Sequence, residues 1–199
     1  MTKISINQGK KERKADNKVN KLFLKRWSPR AMSGEKITKK EMNSLLEAAR
    51  WAPSSYNGQP WRFYYALRGD KHFDTYMDIV NEFNQSWAEN SGALIIVAST
   101  GVFEHNGEPD NTHKLSVGAA YENLALQGAD MDLVVHGMAG FDYEAAKEYT
   151  DMPDSHEVIC MAAVGKPGKK EDLPEQLQER ESPSDRKPLS EISFNGKDK

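Results

Sequence analysis

The chain has 199 residues, a net charge of −3 and 38% hydrophobic residues, below the roughly 45–50% of an average soluble domain, a figure that also counts glycine. A mean hydropathy of −0.75, with no apolar run near the ~20 residues of a membrane span, excludes a membrane protein. The single Cys160 excludes an intrachain disulfide framework and a multi-cysteine metal site, so the reducing cytoplasm is the expected compartment.

The charge is unevenly placed. Residues 1–26 carry nine Lys or Arg against Glu12 and Asp16, a net +7, and the remainder carries −10. Residues 1–13 read as a mobile, solvated arm, and 1–20 as a basic flexible extension before a single domain, 21–199. Val19, Leu22 and Phe23 sit at helical spacing within 14–26, a first amphipathic helix. Thr38 and Glu41 have capping-box spacing, followed by Met42, Leu45, Leu46 and Ala49 on one helical face, with Pro53 as the stop. Trp61 to Leu67 reads as a strand, Arg68-Gly69-Asp70 as its turn, and 71–80 and 82–90 as helices.

The continuous apolar run Ala93 to Ser99 fits a central strand buried on both faces. A loop over 101–111 leads to a helix over 112–129 whose apolar positions include Leu115, Ala119 and Leu124, with small residues at 118–120 suited to close helix approach. Leu133 to Val135 is strand-like, Asp142 is placed to cap a helix over 143–150, and Val158 to Val164 is a second buried strand. Residues 169–188 read as a charged surface excursion and Leu189 to Phe194 as a short final strand. Alternating helices and strands point to a layered α/β or α+β domain. Cys160 lies in an apolar strand and reads as a core residue.

Phosphate-loop, dinucleotide-fingerprint and serine-elbow motifs are missing, and the five histidines show no metal spacing. An enzyme of this kind would leave its chemistry to a cofactor, with no catalytic side chain of its own. Three segments are unusual enough to bind one. Arg26-Trp27-Ser28-Pro29-Arg30 fits either a surface helix end or a pair of forked donors converging on an anion. Ala52 to Trp61 (APSSYNGQPW) fits either a turn-rich connection or a loop presenting neutral hydrogen-bond groups to a planar ligand. Asp185-Arg186-Lys187-Pro188-Leu189 fits either a solvated charge cluster or a second phosphate contact.

Taken together these segments resemble the FMN-dependent nitroreductase family over roughly residues 20–195. The shared elements are Arg26-x-Ser28-x-Arg30, Ala52-Pro53-Ser54-Ser55 with Asn57-x-Gln59-Pro60-Trp61, Asn84, the Gly140-Phe141-Asp142 turn, and Arg186-Lys187-Pro188-Leu189. The resemblance implies an α+β, three-layer α/β/α fold with a mixed, mostly antiparallel sheet, in an interlocked homodimer with FMN at the interface. It implies an NAD(P)H-dependent oxidoreductase, taking NADH or NADPH as reductant, that reduces nitroaromatics, quinones or related small electrophiles by a ping-pong mechanism. The alternatives are another flavin reaction on the same fold, such as aldehyde or enone reduction or dehalogenation, and flavin binding without turnover. No metal, nucleic acid or membrane partner is expected.

By the same resemblance, Arg26, Trp27, Ser28 and Arg30 would bind FMN, with Arg26, Arg186 and Lys187 near its phosphate. Pro53, Ser54, Ser55 and Asn57 would reach the flavin from the other subunit. Asn84 would meet the pyrimidine edge, and the backbone of Ala139 and Gly140 would lie near N5. Residues 192–195 would cross onto the partner. Two departures stand out. Trp87 occupies a position where some relatives have Lys, which would leave that rim without charge assistance and offer a stacking wall to substrates. The short 101–111 loop would lack the helical lid that some members insert there.

Overall fold

The computed structural model describes residues 3–197. Four strands, β1 (Trp61–Leu67), β2 (Ala93–Thr100), β3 (Val134–Met138) and β4 (His156–Gly165), form one sheet in the order β1-β2-β4-β3. Every pairing is antiparallel, so the sheet expected to be mostly antiparallel is antiparallel throughout among the described residues. The apolar run of β2 lies inside the sheet, with Ile95 facing Tyr65 on β1 and Ala162 on β4. Leu94, Ile96 and Ala98 enter one core cluster and Ala93, Ile95 and Val97 the other. Period-2 alternation over a strand buried on both faces is why the run carries no polar residue before Ser99.

Helices cover both faces. On one side α3 (Lys39–Arg50) contributes Met42, Leu45 and Ala49, and α6 (His113–Asp130) contributes Val117, Ala120 and Leu124. On the other side α4 (Phe73–Ile79), α5 (Glu82–Ala88) and α7 (Tyr143–Tyr149) contribute Phe73, Tyr76, Trp87 and Ala146. These are the three layers expected from the sequence. The capping box forms: Glu41 N donates to Thr38 Oγ1 at 3.1 Å and Thr38 N to Glu41 Oε2 at 2.7 Å, an arrangement worth ~1 kcal/mol. Helix α3 ends at Arg50, before Pro53. Asp142 caps α7 by accepting from Ala145 N at 3.0 Å.

The structure departs from the sequence reading in five places. The N-terminal stretch 1–20, of which residues 1–2 lie outside the described residues, is anchored while most of its side chains stay exposed: Ile4 N donates to Gly168 O at 2.7 Å, Ile6 is 2% exposed within the core, and α1 spans Gln8–Glu12. The first amphipathic helix shrinks to α2 (Lys21–Lys25), because the Asn20 side chain accepts from Leu22 N and starts the helix there. Of the small residues at 118–120, Ala120 is buried in the cluster that α6 shares with α3, but Leu115 is 77% exposed and nothing among the described residues lies within 4 Å of a Cβ built on Gly118. The excursion over 169–188 contains α8 (Glu175–Gln178) and buries Leu173, Leu177 and Glu181. The expected final strand is a single 3-10 turn, Leu189–Glu191, with Leu189, Ile192 and Phe194 exposed. A strand needs a ladder partner, and no sheet edge of this chain pairs with the segment.

Candidate functional site

The chain leaves α2 at Lys25 in an extended course, so Arg26, Ser28 and Arg30 open along one side of the fold while Trp27 turns inward. Trp27 is buried and its indole donates to Ser5 O at 3.3 Å, which makes it packing for the site. Beside these residues lies a cleft of ≈ 290 Å³ into which five arginines converge: Arg13, Arg26, Arg30, Arg180 and Arg186. Ser28, Ser182 and Ser184 complete its polar lining.

The guanidinium groups are only partly answered by the protein. Arg26 lies 3.3 Å from Glu122 Oε1, yet its buried Nε lacks a well-directed hydrogen bond, and the buried Arg30 Nε has no hydrogen-bond partner among the described residues. Glu181 is 3% exposed, and its Oε1 accepts from Arg30 N at 2.7 Å and Ala31 N at 2.8 Å. The carboxylate therefore fixes the backbone at Arg30 and Ala31 and also faces the Arg30 charge, while its buried Oε2 has no hydrogen-bond partner among the described residues. Burial raises its pKa, an effect opposed by the two backbone donors. An anion entering the cleft would meet preset, forked donors in a partly dry setting, where charge-assisted hydrogen bonds are strongest.

His136 also lines the cleft, and the buried Trp87 lies behind it. The Arg30 guanidinium lies over the Trp87 ring, 5.9 Å from its centroid, and His136 packs against the same ring at 4.5 Å. Trp87 is 0% exposed, so the stacking wall for substrates expected from the sequence is absent: the indole supports the site from within. Its Nε1 donates to Asn84 Oδ1 at 3.2 Å, and Asn84 Nδ2 donates to Gly140 O at 3.1 Å. The indole N–H can only donate, so it sets the orientation of the Asn84 amide and leaves one Nδ2–H unused. His136 is held by Pro29 O at 3.0 Å from Nδ1. Burial lowers its pKa to about 4, so near neutral pH it is uncharged and donates that bond from Nδ1.

Gly140 is where the ring end of the arrangement is tightest. A Cβ there would meet the side-chain nitrogens of Asn81 and Asn84, both at 2.5 Å. Gly140 O accepts from Asn81 N as well as from Asn84, and Ala139 is exposed beside it.

The structure thus brings Arg26, Ser28, Arg30 and Arg186 together, and joins Asn84 to Gly140. It does not bring Lys187 into the arginine cleft. Lys187 lines an adjoining cleft of ≈ 490 Å³ with Lys14, Leu24 and Pro188, a cleft that also shares Arg13 and Arg186. Pro53, Ser54, Ser55 and Asn57 line neither cleft. Their loop is strained: Tyr56, Asn57 and Gln59 all have positive φ, near 48°, 56° and 47°, a conformation that costs non-glycine residues of order 1 kcal/mol each or more. Ser54 Oγ steadies it by accepting from Gln59 N at 3.0 Å. Arg13 and Arg180, which the sequence reading left out of the site, stand outside every quoted motif. The only signal for Arg13 was the basic stretch before residue 26. Cys160 behaves as expected of a packed thiol, its pKa pushed up to about 11 by burial.

Comparison with known proteins adds the following. A family model described as the nitroreductase family matches residues 23–86 and 68–166. A solved structure titled as an oxidoreductase containing FMN superposes with a TM-score of 0.89 at 38% identity, covering 93% of this chain and 95% of that one. An uncharacterized 15.4 kDa protein of Mycolicibacterium smegmatis is 30% identical over 132 residues, 64% of this chain and 85% of that protein. An oxygen-insensitive NADPH nitroreductase of Helicobacter acinonychis (strain Sheeba) is 28% identical over 95 residues, 47% of this chain and 40% of its own length.

Proposed function

Since the chain belongs to the nitroreductase family, we propose that it is an NAD(P)H-dependent FMN oxidoreductase whose arginine cleft holds the FMN phosphate. The observation that carries this reading is the cleft itself: five arginines line it, and the buried Arg30 Nε has no hydrogen-bond partner among the described residues. Bound FMN supplies a hydride acceptor that NAD(P)H reduces and a small electrophile re-oxidises. The chain's own residues bind and orient. Arg26, Arg30 and Arg186 hold the phosphate, with Ser28 as a neutral donor beside them. Asn84 offers its free Nδ2–H to a carbonyl on the pyrimidine edge, where a donor stabilises developing negative charge. The backbone of Ala139 and Gly140 lines the ring.

We assign the electron acceptors to nitroaromatics, quinones and related compounds, which take the place of NAD(P)H in a ping-pong order. We further propose that the working form is a homodimer. One chain leaves the 53–57 loop away from its own arginine cleft, and Leu115, Leu189, Ile192 and Phe194 are exposed. A second copy would cover that apolar surface and bring Pro53, Ser54, Ser55 and Asn57 to the flavin.

The test is anaerobic. The purified protein is loaded with FMN, and flavin absorbance is followed as NADH or NADPH is added and then replaced by a quinone or nitroaromatic. Bleaching by a reduced nucleotide and recovery with the acceptor support the reading. A protein that retains no FMN, or bound flavin that neither nucleotide bleaches, would refute it.

A further inference from the structure

The family match begins at residue 23, and the proposed function gives the segment before it no task. That segment is nevertheless built into the fold. Ile4 is hydrogen-bonded to Gly168, and Ile6 is in the core. Gly9 approaches α2 so closely that a Cβ would lie 2.5 Å from Leu24 O and 2.9 Å from Lys25 O. With its backbone anchored at these points, the segment delivers Arg13 to one place.

There the guanidinium reaches both sides of the cleft. Its Nη1 donates to Arg26 O at 2.6 Å and approaches Leu24 O at 3.5 Å. Its Nε donates to Ser184 O at 2.8 Å, with Nη2 3.4 Å from Ser184 Oγ. Arg186 uses the same serine, its Nη1 donating to Ser184 Oγ at 3.1 Å and to Asp185 O at 2.9 Å. One planar fork therefore ties the backbone of Arg26 to the residue on which Arg186 rests, a bridge that an ammonium group cannot reproduce. Burial, then the charges of Arg186 and Arg26, depress the proton affinity of Arg13, while Asp185 and Glu12 oppose them. The three cations stand close enough to repel, an arrangement that an anion relieves.

We infer that Arg13 is a positioning residue of the anion cleft, holding segments 24–26 and 184–186 at the spacing at which Arg26 and Arg186 close on a phosphate group. The N-terminal segment is then part of the binding site. The inference rests on the FMN reading for the identity of the phosphate; the geometry serves any phosphate monoester.

The experiment compares the full chain with Arg13→Gln, Arg13→Lys and Leu45→Ala. Affinities for FMN and for riboflavin, which lacks the phosphate, are read from flavin fluorescence, and inorganic phosphate binding from 31P line broadening. Arg13→Gln should lose about tenfold in FMN affinity, the scale of one charge-assisted hydrogen bond, and keep its riboflavin affinity. Arg13→Lys should recover only part of the loss. Leu45→Ala, a core truncation on α3 that touches neither cleft, should lower the melting temperature and leave the FMN-to-riboflavin ratio alone. The inference is overturned if Arg13→Gln keeps the wild-type ratio, or if Leu45→Ala shifts that ratio equally. If the wild type binds phosphate but neither flavin, the FMN reading fails and the phosphate arm decides: a tenfold loss in Arg13→Gln upholds Arg13, and no loss overturns it. Wild type binding neither phosphate nor flavin overturns both.

Discussion

Replacing Trp87 by Phe separates what its indole nitrogen does from what its bulk does. The residue is 0% exposed, and its ring supports His136 at 4.5 Å and Arg30 at 5.9 Å. Phenylalanine keeps an aromatic floor but removes the Nε1 donation to Asn84 Oδ1. Losing one buried hydrogen bond costs about 1 kcal/mol, and leaving its acceptor unpaired adds about 1 kcal/mol or more. The smaller ring leaves a void, so the total is about 2–3 kcal/mol, against about 3–5 kcal/mol for Trp87→Ala. The Asn84 amide also becomes free to turn, and flavin binding weakens at the ring end. FMN and riboflavin should therefore lose affinity by the same factor, unlike the phosphate-selective loss expected at Arg13. Urea denaturation gives the stability change and fluorescence titration with both flavins gives the binding change. Wild-type affinity for both flavins in Trp87→Phe would refute the claim that the indole orients Asn84, and a cost below about 1 kcal/mol in Trp87→Ala would refute its place in the packed core.

Other outcomes follow from the same geometry. Arg26→Ala and Arg186→Ala should each release FMN more readily on dialysis, by about tenfold in affinity; unchanged flavin occupancy in both would remove the phosphate from this cleft. Gly140→Ala drives a Cβ into the amides of Asn81 and Asn84 and should cost about 1–3 kcal/mol by overpacking, seen as a lower urea midpoint. His136 has its pKa lowered from 6.5 to about 4, so between those values the unfolded chain binds the extra proton. The stability contributed by the neutral ring is complete above pH 6.5 and is lost as pH falls toward 4, up to a ceiling of about 3 kcal/mol. His136→Phe should flatten the melting temperature over that window; an unchanged pH profile would contradict the assignment.

The parts of the fold governed by local pattern were readable from sequence. The run Ala93 to Ser99 had to be doubly buried because no other setting suits seven residues without a charge, and Thr38 with Glu41 announced a helix start that the structure closes with two hydrogen bonds. The anchoring of the N-terminal segment was not readable, because Ile4 and Ile6 are two apolar residues in a polar stretch and the Gly168 carbonyl that Ile4 meets lies far along the chain. Within the site, Arg26, Ser28, Arg30 and Arg186 were found through motifs. Arg13 and Arg180 were missed because convergence in space leaves no mark on spacing. Of the adjacent pair, Arg186 lines both clefts and Lys187 only the larger one, a difference that sequence adjacency does not show. Trp87 was read as a surface because its position was known and its packing was not. Leu115 was counted among the apolar positions of its helix, and periodicity marks such a stripe without saying what covers it.

The account turns on where the phosphate of FMN sits, and the most direct measurement is a crystal structure of the protein grown with FMN. The account predicts the phosphate within hydrogen-bond distance of Arg26 and Arg186, with Arg13 still bridging Arg26 O and Ser184 O behind them. FMN bound with its phosphate outside the arginine cleft would contradict it.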